Sequence, residues 1–195
     1  LEFTSEATLP TDKWTFIVLN YKASTMSFSM LAQYDETTIH LFSDEYVSET
    51  AVQRANYTVD NYLYLGPINA NIHDLALYNV YRDVLLAAGE KYDSKDTYTY
   101  GLTNYWRMNE GHGTVAADTR HTHDFEVLNT WEIFNTNYAL RIDSTVGAQF
   151  DISRINTDMN DSYAIELWYS PAGTDHDTVF ETEGLCLHYD SLQNL

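Results

Sequence analysis

The chain carries a single cysteine, Cys186, among its 195 residues. No disulfide can form within it, so its stability has to come from a hydrophobic core, and the length suffices for one. Cys186 reads as a small apolar residue on a strand, or as a thiol that pairs outside these residues. The missing disulfide does not by itself place the protein in the cytosol. Basic residues are also few. Lys plus Arg number 10 against 29 Asp plus Glu, a formal net charge of −19. A surface this acidic repels phosphates and anionic lipid, which argues against nucleic acid and membrane surfaces as partners. Apolar runs are short, such as Phe16 to Leu19 and Val84 to Ala88, far below the roughly 20 residues a membrane-spanning helix needs. No signal peptide is visible. The chain opens at Leu1 rather than at Met and ends within an alternating apolar-polar stretch. We read it as a piece of a longer protein, so the missing export signal carries no weight.

Aromatic residues are abundant, and 16 of them are Tyr. Tyr and Trp favour strands and half-buried surfaces. They are also side chains on which sugars stack. Most of the chain has a period of two, the signature of half-buried strands. Trp14, Phe16 and Val18 share one face of a strand over 13–19, and Met26, Phe28 and Met30 repeat the pattern. Strands are expected over 37–42, 61–66 and 71–78, the last with Ile72, Leu75 and Leu77 as its apolar set. The period then changes. Val80, Val84, Leu85 and Ala88 form one helical face, with Asn79 as the expected cap and Gly89 as the stop, which predicts one short helix near 80–89. Residues 90–102 open with Glu90, Lys91, Asp93, Ser94, Lys95 and Asp96 and read as a polar connection. Strands resume over 103–108, near 124–127, 131–134, 137–142 and 147–152, then over 162–169, 178–183 and 186–189. Many short strands and one helix predict an all-β protein, a β-sandwich or jelly roll.

Several segments are similar to a known family. Trp14-Thr15-Phe16-Ile17-Val18, Tyr62-Leu63-Tyr64-Leu65-Gly66 and Ile72-His73-Asp74-Leu75-Ala76-Leu77-Tyr78-Asn79 resemble the C-terminal part of a laminin-G-like domain of the concanavalin A-like lectin/glucanase superfamily. Tyr105-Trp106-Arg107-Met108-Asn109-Glu110-Gly111-His112-Gly113, with Asp118 following, resembles the opening of another such domain. Tyr163-Ala164-Ile165-Glu166-Leu167-Trp168-Tyr169 and Thr178-Val179-Phe180-Glu181 resemble its next strands. The resemblance implies a concanavalin A-like jelly roll. It also implies an order: residues 1–89 as the end of one sandwich, 90–102 as a linker and 103–195 as the start of a second. Two arrangements fit, a slice of a tandem array or two halves that complete one permuted sandwich.

The chemical candidates are weak beside plainer readings. Retaining glycoside hydrolysis needs two carboxyl groups about 5–5.5 Å apart, and the superfamily's glucanases supply them from an E-x-D-x-x-E strand. That motif is absent, and Glu181-Thr182-Glu183 reads as a solvated strand end. His121 and His123, flanked by Arg120 and Asp124, offer a two-imidazole face with His112 as a further ligand, but they read as loop histidines. Gly111-His112-Gly113 lacks the helix and lysine of a phosphate loop and reads as a turn. Calcium, which many laminin-G-like domains carry, has candidate ligands in Asp151, Asp158, Asp161, Asp175 and Asp177, with 156–161 the densest oxygen-rich loop. No EF-hand spacing is present. No Gly-x-Ser-x-Gly occurs, and Cys186 has no evident activating setting. Asn56 and Asn160 begin N-glycosylation patterns, relevant in a secreted eukaryotic setting. The resemblance thus implies a non-catalytic, extracellular recognition or adhesion module of a secreted or surface multidomain protein. It would bind glycans or proteins, with Ca²⁺ as its one candidate cofactor. The alternative is an assembly unit that contacts neighbouring domains or chains. No ligand-binding residue follows from the resemblance.

Overall fold

The computed structural model describes residues 10, 13–34, 39–46, 62–65, 69–93, 95, 99–120, 124–126, 130–134, 137–142, 148–151, 162–172, 177–182 and 185–189. It is an all-β, antiparallel structure with one short helix. The first half supplies β1 (Thr15–Lys22), β2 (Ser27–Gln33), β3 (Ile39–Tyr46), β4 (Tyr62–Leu65), β5 (Ala70–Tyr78) and the helix α1 (Val84–Gly89). The second half supplies β6 (Leu102–Trp106), β7 (Val115–Ala116), β8 (Phe125–Glu126), β9 (Thr130–Phe134) and β10 (Asn137–Ile142). It ends with β11 (Ala148–Asp151), β12 (Tyr163–Pro171), β13 (Asp177–Thr182) and β14 (Leu185–Tyr189).

The larger sheet runs β3-β2-β1-β12-β5-β10-β9, with β6 also paired to β5; the smaller runs β11-β4-β13-β14, and β7 pairs with β8. The two halves of the sequence interleave. β12 lies between β1 and β5, and β4 lies between β11 and β13. Cutting the chain between residues 89 and 103 would leave neither sheet whole. The sheets face one another across a shared core, in which Leu65 and Val179 of the smaller sheet meet Ile17, Tyr21, Leu75, Trp106, Ile165 and Tyr169 of the larger. Alternation places those residues on one face of their strands, and burial of that face is the main stabilising term.

β5 breaks the alternation once. Ala70 and Ile72 face the core, and so do Leu75 and Leu77. The slip of one residue is absorbed at Asp74, where Asp74 and Leu75 lie opposite the single Leu167 between the Glu166–Ala76 and Trp168–His73 pairs and Asp74 takes φ 54. This is a β-bulge, two residues opposing one, and an Asp tolerates the left-handed region better than most residues do. The bulge also hands one edge of β5 from β10, which pairs with 70–72, to β6, which pairs with 75–78.

The opposite, outer face of the larger sheet is covered as well. Phe16 and Val18 of β1 and Leu31 of β2 pack against Val84, Ala87 and Ala88 of α1. β1 is therefore buried on both faces, with Ile17 and Leu19 turned inward. The helix is shorter than its periodicity suggests, six residues, and its cap is Asp83 rather than Asn79. Asp83 Oδ1 accepts from the backbone N–H groups of Leu85 and Leu86, both at 3.0 Å. Residues 80–82 are held instead by side contacts to the sheet, so the helical turn begins only after them. Among the described residues no helix is long and apolar enough to cross a membrane.

Candidate functional site

The outer face carries a line of alternating charges beneath α1 and the segment that follows it. Glu166 stands on the central strand β12 and is fully buried, with the apolar Val18 and Ala76 as its cross-strand neighbours. A carboxylate there is tolerable only if it is paired and hydrogen-bonded. Arg82 Nε lies 2.6 Å from Oε1, Lys95 Nζ 3.4 Å from Oε2, and the Tyr78 hydroxyl donates to Oε2 at 3.2 Å. Small residues at Ala76 and Ala164 leave room for the guanidinium, which lies 4.4 Å from the centre of the Tyr78 ring. The second arm of Arg82 reaches Glu90 at 2.8 Å. Its backbone is held too, because Asn20 on β1 accepts from Arg82 N–H and donates to the Arg82 carbonyl.

These contacts shift the titrating groups. Burial, and then the Glu166 charge, push the Tyr78 hydroxyl well above its usual range, so it stays a donor. Burial alone would lower the Arg82 guanidinium, but the Glu166 and Tyr78 charges and the hydrogen bonds to Glu90 and Glu166 together outweigh it, and the net shift is upward. Lys95 is 5% exposed although it belongs to a polar run; its ammonium lies near the rings of Phe16 and Tyr105. Tyr92, in the same run, stacks on Trp168 at 5.4 Å. Segment 82–95 is thus strapped to the sheet by a buried ion network and a ring stack.

At the far end of this line sits the bulge. Asp74 Oδ2 lies 2.8 Å from His73 Nδ1, and the Tyr105 hydroxyl donates to Asp74 Oδ1. Burial raises the Asp74 carboxyl, but the His73 contact, the Tyr105 hydrogen bond and the Lys95 charge together bring it below its ordinary value. The Nδ1 proton points at Asp74, which leaves Nε2 as the basic nitrogen, and Nε2 makes no hydrogen bond among the described residues. An imidazole oriented by a carboxylate is two parts of a nucleophilic triad. Among the described residues no hydroxyl or thiol bonds to Nε2.

A different feature lies at the rim, where the chain passes from α1 to β6. Asn79, Val80, Thr99, Tyr100, Gly101, Leu102 and Thr103 line an open depression of about 400 Å³. Tyr100 is 72% exposed, beside it. Gly101 shapes the floor. Its φ is +77, and an added Cβ would stand 2.2 Å from a methyl of Val80. Its carbonyl accepts from Asn79 N–H at 2.9 Å, which closes the loop. Thr103 donates its hydroxyl to the Leu77 carbonyl at 3.0 Å. The Asn79 side chain is exposed.

The chain matches no model of a known protein family, and no curated protein matches it significantly. The site therefore has to be read from its own geometry.

The residues singled out in the sequence fall in three groups. The Tyr105-to-Asp118 motif builds β6 and the turn that follows it. Trp106 is fully buried, Gly111 and Gly113 take φ 69 and 78, and Glu110 accepts from Ala117 N–H at 2.9 Å. Buried Asp118 accepts from Tyr105 N–H, Arg120 N–H and the Asn104 amide, which fastens β6 to the following turn. His112 is exposed, with Nδ1 against the Glu110 carbonyl at 2.7 Å. Asp124 accepts from Asp118 N–H at 3.0 Å. The second group has only its backbone placed: Asp151 on β11, Asp177 and Glu181 on β13, and Cys186 on β14. The third lies outside the described residues: Asn56, His121, His123, Asp158, Asn160, Asp161, Asp175 and Glu183. Among the described residues no group of three or more His, Cys, Asp or Glu side chains could hold a metal. The sequence reading missed Tyr100, Asn79 as a rim residue, and the Glu166 network. Gly101 next to a Tyr in a polar run was the one available signal for the rim.

Proposed function

We propose that this chain is a laminin-G-like jelly roll, part of a multidomain secreted or cell-surface protein. Its work is recognition of glycans or proteins rather than catalysis. The fold class is compatible with that family, and the ordered motifs of both halves support the reading. The observation that carries the binding function is Tyr100, an exposed ring beside an open depression with polar side chains around it. An aromatic face with a few convergent polar groups is how a shallow site gains affinity and orientation together. The buried network around Glu166 serves the same end indirectly, because it fixes segment 82–95, and with it one approach to the rim. The test is a screen of immobilised glycans and extracellular matrix proteins with the wild-type chain and Tyr100→Ala. Binding that is lost in the variant supports the proposal, and no binding to either class overturns it.

A second reading, an assembly unit, is favoured by one observation. Leu85 and Leu86 on α1 are 56% and 57% exposed, side by side. Contiguous exposed apolar surface, unlike single scattered residues, marks contact with other molecules. Light scattering on the wild type and on Leu85→Glu with Leu86→Glu separates the readings. A wild-type oligomer that the double variant dissolves supports assembly, and a monomer in both cases removes it.

A further inference from the structure

We infer that the Tyr100 depression takes a neutral sugar, bound without a metal ion; the inference rests on the recognition function proposed above and narrows its ligand. Among the described residues the lining contributes no carboxylate, imidazole, ammonium or guanidinium. A hard cation such as Ca²⁺ needs six to eight oxygen ligands, with carboxylates usually among them. The lining supplies backbone carbonyls, two threonines and one amide, and the Thr103 hydroxyl proton is already spent on Leu77. An anionic sugar is best received by a cation, and among the described residues no Lys or Arg lines the depression, while the chain as a whole carries −19. Long-range repulsion acts on an acidic ligand before it arrives. What the rim does offer suits an uncharged polyol. The exposed face of Tyr100 can cover the C–H face of a pyranose ring, a contact that removes apolar area from water and asks for no charge. The exposed Asn79 amide presents an acceptor and a donor in one plane, the pairing that two adjacent sugar hydroxyls satisfy. Gly101 keeps the floor low: with any other residue a Cβ would collide with Val80.

The experiment is a solution titration of the purified chain with matched oligosaccharides, one set neutral and one carrying uronic acid, sialic acid or sulfate, each with and without EDTA. The expected result is saturable binding of a neutral set, unchanged by EDTA. Affinity should fall about tenfold or more in Tyr100→Ala, as loss of a stacked ring implies, and stay close to wild type in Tyr100→Phe. Asn79→Ala should weaken binding as well. Exposed positions such as these leave folding intact, which circular dichroism of each variant checks. Binding of acidic sugars alone, or binding that EDTA abolishes, overturns the inference while glycan recognition stands. Neutral-sugar binding that is indifferent to Tyr100→Ala overturns the site and leaves the ligand class. No binding of either set overturns the inference, and protein recognition is then judged by the matrix-protein screen.

Discussion

Lys95 Nζ sits 3.4 Å from Glu166 Oε2, and both side chains are almost withdrawn from solvent, 6% and 1% exposed. The pair joins the start of the polar run after α1 to the central strand of the larger sheet. Together with Arg82 it makes a buried triad in which one carboxylate holds two cations.

Glu166→Ala should destabilise the chain by about 3–5 kcal/mol, because Lys95 would remain buried without its counter-charge and Arg82 would keep only the more exposed Glu90. Replacing all three at once with apolar residues of similar size (Glu166→Leu, Arg82→Met, Lys95→Met) should cost much less, since no uncompensated charge is left. Urea unfolding of both variants measures the difference. A single variant no weaker than the triple would mean that the triad is not buried as described.

Asp74 sets part of the acid limit of stability. Its folded carboxyl lies below the ordinary value of 3.8, although burial acts against this, because His73, Tyr105 and Lys95 favour the charged form. A depressed folded pKa contributes stability that is fully present above the unfolded value. That stability is lost as pH falls from about 3.8 through the folded value. Asp74→Asn should therefore lower stability most in the neutral range, where the charged carboxylate contributes, and converge on wild type as pH falls below 3.8 through the folded value, so that its acid fall is flatter. Asn is the suitable probe because it keeps the hydrogen bond from Tyr105 and accepts φ 54. Denaturant midpoints of both proteins across pH 2–5 give the comparison, and parallel curves would contradict it.

The sequence shows the inner layer well and the outer layer hardly at all, for a physical reason. Alternation is local, so Ile72, Leu75 and Leu77 already record both the strand and the slip in its phase that the bulge at Asp74 explains. β1 was apolar on both alternating sets, Phe16 and Val18 against Ile17 and Leu19, which is the mark of a strand covered on two faces; what covers the outer face depends on where α1 docks. The ion network was invisible because its partners are far apart in sequence. Glu90 and Lys95 look like a solvated connection until Glu166 is brought beneath them. The rim was hidden for a similar reason: Tyr100 was one tyrosine among 16, and only the fold shows which of them faces water.

The start of α1 shows how two local signals compete. Asn79 and Asp83 are both good capping residues. Asp83 takes the role because Val80 is packed against Gly101 and Arg82 is tied to Asn20 and Glu166, which holds residues 80–82 out of helical register. Asp83→Ala should cost about 1 kcal/mol, and Asn79→Ala much less in stability, though it bears on the rim. Thermal melts of the two variants decide this, and equal losses would restore Asn79 as a cap.

Gly101 ties stability to the proposed site. Alanine there meets two separate penalties: φ +77, which an L side chain rarely adopts, and a Cβ 2.2 Å from a Val80 methyl. The backbone term alone is about 1–3 kcal/mol, and the overlap adds to it unless the loop moves. The two penalties can be separated. Val80→Ala removes the colliding methyls but leaves φ unchanged, so the double variant Gly101→Ala with Val80→Ala should be less unstable than the sum of the single losses. The difference measures the collision, and what remains measures the backbone. If the loop relieves the overlap by lifting, Tyr100 lifts with it, and sugar affinity should fall in Gly101→Ala and partly return in the double variant. Simple additivity in stability would show that Val80 and Gly101 do not touch, and would remove the floor on which the depression depends.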